Sequence, residues 1–128
     1  MANRVATILG VVFLLIGVLG FILPHALGAH LSTYHNVIHL VSGAVSLWLG
    51  LKGTAAAARN FCISFGAVYL LLGLVGFFRG EGADRILAVI PGQLELGIVD
   101  HVIHVLFGAA YLIAGFMTKA ATDRRERG

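Results

Sequence analysis

His35-Asn36-Val37-Ile38-His39-Leu40-Val41-Ser42-Gly43 returns as Asp100-His101-Val102-Ile103-His104-Val105-Leu106-Phe107-Gly108. Val37-Ile38-His39 falls opposite Val102-Ile103-His104, Gly43 opposite Gly108, Ala44 opposite Ala109, and His35 opposite Asp100. The segment before each copy repeats as well. Gly10, Phe13, Gly17, Gly20 and Phe21 correspond to Gly66, Tyr69, Gly73, Gly76 and Phe77. The chain therefore reads as one two-segment unit written twice.

Composition says what kind of unit it is. The 128 residues are 59% hydrophobic and 12% charged, with a mean hydropathy of +0.94. Soluble domains carry about a quarter charged residues, so this composition points to an integral membrane protein. Four apolar runs follow, at about 5–23, 31–51, 60–78 and 96–117. At 1.5 Å per helical residue, each is long enough to cross a hydrocarbon core of roughly 30 Å. The expected fold is all-α: a single four-helix membrane domain over residues 1–128, built from two tandem transmembrane hairpins. Pro24 falls in the first turn, where it cannot continue a helix. The first run also has the form of a cleavable leader, with Arg4 before it and Ala26-Leu27-Gly28 after it. Its echo at 60–78 marks it as a retained helix, because a leader has no reason to recur internally.

The long connection, 79–95, holds an apolar patch from Leu87 to Ile90 before Pro91-Gly92. It is too short to span and reads as a helical turn lying in the interface. Residues 118–128 read as a solvated, frayed tail. Arg4, Lys52, Arg59, Lys119, Arg124, Arg125 and Arg127 fall on one side of a four-span arrangement, with Arg79 and Arg85 on the other. The positive-inside rule then places both termini in the cytoplasm. The net charge of +3 follows from this flanking pattern, and no aromatic platform accompanies it, so nucleic acid is not an expected partner. The expected surroundings are lipid, and self-association or membership of a larger membrane complex is compatible with such a surface. Cys62 is the single cysteine, so no internal disulfide forms.

All six histidines, at 25, 30, 35, 39, 101 and 104, fall toward the outer face in this arrangement. Ionisable residues inside an apolar helix are costly and need a reason. His35 and His39 share one helix face, as do Asp100 and His104, being four apart. Three readings of the polar cluster His35, Asn36, His39, Asp100, His101 and His104 follow. The first is a hydrogen-bonded lock between helices, with Asn36 and His101 capping the helix ends and no cofactor. The second is a transition-metal site made by His35, His39, Asp100 and His104, since imidazole and carboxylate suit zinc, copper or iron. The third is haem b held non-covalently by His39 and His104. No phosphate loop, nucleophile elbow, dinucleotide fingerprint or His-Glu-x-x-His pattern is present. Ser42, Ser46 and Gly50 read as a small-residue packing stripe. The expected role is that of a small structural or accessory membrane protein rather than an enzyme, with metal or haem binding near the outer leaflet as the alternative.

Taken together, Gly10 to Phe21, HNVIHLVSG, the Gly66-x-x-Tyr69-Leu70-x-x-Gly73 helix and DHVIHVLFG resemble the bacterial four-helix membrane proteins grouped as domain of unknown function 4383. The similarity runs from about Arg4 to Met117. Its specific part is a doubled motif, His-Asn-x-x-His then Asp-Asn-x-x-His. His35, Asn36 and His39 match the first half, Asp100 and His104 the second, and His101 stands where the pattern has asparagine. The resemblance implies the four-span fold and placement in a bacterial inner membrane; it implies no activity.

Overall fold

The two echoed units are two helical hairpins. The computed structural model describes residues 1–23 and 32–127, with side chains through Thr118. Pro24, His25 and His30 lie outside the described residues, and so do the expectations that rest on them. The elements are α1 (Ala2–Ile22), α2 (Thr33–Lys52), α3 (Ala55–Arg79), β1 (Leu87–Ile90), β2 (Leu94–Leu96) and α4 (Ile98–Arg127). The fold is an all-α four-helix bundle in which α1 packs along α2 and α3 along α4.

Glycine explains why those pairs sit so close. A Cβ on Gly10 would lie 2.6 Å from the Leu47 nitrogen, and one on Gly43 2.8 Å from the Gly10 carbonyl oxygen. The second hairpin repeats this: a Cβ on Gly66 would lie 2.8 Å from the Gly108 oxygen, and one on Gly108 2.5 Å from the Leu70 nitrogen. The backbones are in direct contact, as small-residue faces permit between helices in lipid. Helix starts are set locally. The Thr54 hydroxyl accepts from the Ala57 N–H at 3.1 Å, and the Ser32 hydroxyl accepts from that of His35 at 3.4 Å, relieving unpaired donors of the first turn.

The hairpins meet around aromatic rings. Phe13 of α1 is fully buried and has His39 of α2, Phe65 and Tyr69 of α3, and Phe107 and Tyr111 of α4 around it, with centroids 5.2 to 6.4 Å away. It touches all three other helices. Ser46 ties the hairpins together: its hydroxyl donates to the Ala6 carbonyl at 2.7 Å and lies 2.8 Å from the Tyr111 hydroxyl. Since its one proton goes to Ala6, Tyr111 is the donor to Ser46. Ser42 and Tyr69 share a side-chain hydrogen bond as well. The serines are thus hydrogen-bonding links between α2 and the second hairpin, a role that a reading as packing residues overlooks.

Two expectations are corrected. Leu87–Ile90 is not a helical turn; it is the first strand of an antiparallel β hairpin with Leu94–Leu96. Pro91 and Gly92 are the central residues of its turn, Gly92 at φ +76°, closed by Gln93 N–H to the Ile90 carbonyl at 2.9 Å. This is the positive-φ position that glycine fills without strain. β2 alternates, with Leu94 and Leu96 buried against the bundle. The tail is helical: α4 continues to Arg127, through alanine, arginine and glutamate, which are good helix formers. At its other end, α3 begins at Ala55, earlier than the apolar run suggests, because Thr54 caps it.

Three helical segments among the described residues are long and apolar enough to cross a membrane: Ala2–Ile22, Ala55–Arg79 and Ile98–Thr118. Their outward residues are large and apolar, Leu15, Leu71, Phe78 and Leu106 among them, as a lipid-facing surface requires. α2 is not in that group, and the residues that lower its hydropathy, His35, Asn36 and His39, are the ones at issue below.

Candidate functional site: a buried histidine cluster under the β hairpin

The first turns of α2 and α4 bring the cluster together. His35 and His39 are one turn apart on α2, with ring centroids 4.2 Å apart, and His104 of α4 approaches His35 at 5.9 Å. One nitrogen from each of the three rings lies within 4.8 Å of the others. All three residues are buried, at 2 to 3% exposure. The repeat explains the convergence. His39 and His104 occupy equivalent positions, each packed on the aromatic of its own hairpin, Phe13 at 5.4 Å and Tyr69 at 5.1 Å.

The expected hydrogen-bonded lock is absent at His39. Among the described residues, neither of its ring nitrogens has a hydrogen-bond partner, and the same holds for Nδ1 of His104. A buried polar group without a partner costs about 1–3 kcal/mol. Two such residues in one group of converging rings call for an explanation that packing does not supply.

Asp100 takes the position equivalent to His35 and divides its carboxylate between two tasks. Oδ2 accepts from the Gly97 N–H at 2.9 Å, the hydrogen bond by which an acidic residue in the first turn reaches back to the helix start. Oδ1 lies 4.0 Å from Nδ1 of His35. Asp100 thus stands beside the three imidazoles, facing His35.

Asn36 and His101 do something other than cap helices. Ser32 and Asp100 fill that role, while the Asn36 side chain lies over Gly20 and the His101 ring over Gly76, each where a Cβ would collide with it. Glycine is needed there because a bulky polar side chain crosses the neighbouring helix. Nε2 of His101 lies 2.6 Å from the Arg85 carbonyl. A carbonyl only accepts, so that nitrogen carries the proton. His101 therefore ties α4 to the connection leading into β1, and its ring belongs to this tie rather than to the three-histidine group. Arg85 adopts a positive φ of 51°, which turns its carbonyl toward the histidine.

A cleft of about 40 Å³ reaches the cluster, lined by His35, Ile38, Tyr69, Leu72, Leu94, Leu96 and His104. Leu94 and Leu96, which form its roof, carried no signal in the sequence, since their role depends on the β hairpin folding over the bundle end. A water needs about 10–15 Å³ of such space, so the cleft takes small molecules only.

Fold and site together define a class: an apolar four-helix bundle, duplicated by hairpin, with a buried histidine cluster between its halves. Residues 3–117 match the family described as domain of unknown function (DUF4383), and the chain belongs to that family. No curated protein matches the chain, and no solved structure does.

Proposed function

We propose that the chain is a four-span accessory membrane protein, not an enzyme, whose working part is a binding site at the histidine end of the bundle. α2 is the fourth span. Its polar residues His35, Asn36, His39 and Ser46 are all buried, while Val37, Val41, Val45, Trp48 and Leu51 point outward. The surface it offers to lipid is therefore as apolar as that of its partners, although its average composition is not. The observation that carries a binding role is the set of buried ring nitrogens without a hydrogen-bond partner among the described residues, both of His39 and Nδ1 of His104, within a group of three converging histidines. Ionisable residues inside a membrane helix that face a bundle interior mark binding or transport paths. The opposite half of the interior is filled by Phe13, Cys62, Tyr111 and small residues, which supports binding over conduction.

Both ends of the bundle's chain lie together, the Ala2 N–H donating to the Thr118 hydroxyl at 2.9 Å. The distribution of lysine and arginine supports a cytoplasmic location for that end and an external one for the histidine end, as in a bacterial inner membrane. Reporter fusions test the arrangement. A fusion at Gly82 is expected to report an external location and one after Gly128 a cytoplasmic one; a cytoplasmic signal at Gly82 overturns the assignment.

A further inference from the structure

We infer that His35, His39 and His104 together bind one zinc or copper ion, with a fourth coordination position open to the cleft under the β hairpin and with Asp100 outside the ligand set. This rests on the reading of the histidine end as a binding site and names what it binds.

Ligand chemistry comes first. Three nitrogens already lie within 4.8 Å of one another, and a tetrahedral site with metal–nitrogen bonds of about 2.0–2.1 Å needs them about 3.3 Å apart. Small rotations of the rings close that gap. Imidazole suits zinc and copper well, whereas magnesium and calcium require oxygen donors. Binding also gives His39 and His104 the partners they lack.

The position of Asp100 removes it from the four-ligand set that the sequence suggests. One of its oxygens is committed to Gly97, and the other faces Nδ1 of His35. At 4.0 Å the carboxylate is at ion-pair rather than hydrogen-bond distance; if His35 ligates through its other nitrogen, closing that separation lets Asp100 fix the tautomer and raise the basicity of the ligand. It also supplies negative charge beside a divalent ion in an apolar surrounding.

Three protein ligands leave one position for an exchangeable group, the arrangement that separates reactive zinc sites from closed structural ones. His35 and His104 border the cleft, so that position has somewhere to open. The cluster stands within the first two turns of α2 and α4, where the positive ends of the helices favour negative charge nearby. The fourth ligand is accordingly water, hydroxide or another small anion. A tetrapyrrole, by contrast, has no place in a cleft of about 40 Å³ whose walls are Ile38, Tyr69, Leu72 and the hairpin leucines.

The test uses the full chain purified in detergent and dialysed against Zn²⁺ or Cu²⁺. Expected are one ion per chain by elemental analysis, nitrogen hyperfine structure in the Cu²⁺ electron paramagnetic resonance spectrum, and a new visible absorption band when azide is added to the Cu²⁺ form. His39→Leu and His104→Leu are expected to retain less than a tenth of the ion while still eluting as folded protein. Asp100→Asn keeps the Gly97 hydrogen bond through its amide oxygen and is expected to hold one ion about 10- to 100-fold more weakly. His101→Gln, outside the cluster, is expected to hold the ion at full stoichiometry. Wild type without metal, metal retained in His39→Leu, equal loss in His101→Gln, or a Soret band overturns the site. Cu²⁺ bound with no response to azide overturns the open position. A metal-free protein whose Gly82 fusion still reports an external location sinks this inference and leaves the four-span reading standing.

Discussion

At the scale of the residue, His39 sets the terms. In metal-free protein its two ring nitrogens are buried without a hydrogen-bond partner among the described residues, and such a group detracts from stability by about 1–3 kcal/mol. Replacing both polar atoms with an apolar side chain of similar size removes that penalty. His39→Leu is thus expected to melt at the same temperature as the wild type or higher when both are stripped with a chelator, as followed by circular dichroism in detergent. A lower melting temperature would show that the imidazole is engaged in a stabilising interaction and would favour the lock. Spacing alone brought His35 and His39 onto one face and Asp100 and His104 onto another, and the repeat implied that the faces meet. The separate fates of Asn36, His101 and Asp100 were not legible, because they depend on Gly20, Gly76 and the Arg85 carbonyl across the helix interface.

The element that matters is the glycine-lined hairpin. Gly66 and Gly108 hold α3 and α4 at backbone contact, and Gly10 and Gly43 do the same for α1 and α2. An added methyl would meet backbone atoms, which cannot swing away as a flexible side chain does. Gly43→Ala and Gly108→Ala are each expected to lower stability by about 1–3 kcal/mol, the usual result of overpacking. A change below about 0.5 kcal/mol in detergent unfolding would show that the interfaces are looser than the duplicated glycines imply. Helix positions followed from apolar length. The β hairpin did not, because a run of four apolar residues fits a helical turn and a strand equally well. The decision lies in Pro91-Gly92 and in the leucines of β2, which gain only when they fold onto a bundle end that already exists.

For the whole molecule, the consequence of the duplication is that one site draws on both halves. His35 and His39 belong to the first hairpin and His104 to the second, and the hairpins meet over much less of their length than the helices within each hairpin do. An ion at the cluster staples the halves together. At a free-ion concentration of about 100 times Kd, linkage adds about 2.7 kcal/mol to the folded state. Added Zn²⁺ is expected to raise the melting temperature, and a chelator to reverse the rise. An unchanged melt with metal bound would show that the unfolded chain holds the ion as well as the folded one does, which a site built across both hairpins could not. What the sequence by itself determined is the all-helical, duplicated, lipid-exposed design, since apolar length, glycine spacing and the repeat of the histidine motif are local properties of the chain. Only the tertiary structure decided which polar groups share a site and which serve the packing. His35 and Asp100 are equivalent in the repeat, yet one joins the three-ring group and the other ties down the start of α4. That difference comes from the two-fold meeting of the hairpins around Phe13 and from the β hairpin that covers one end, and both depend on contacts between residues far apart in the chain.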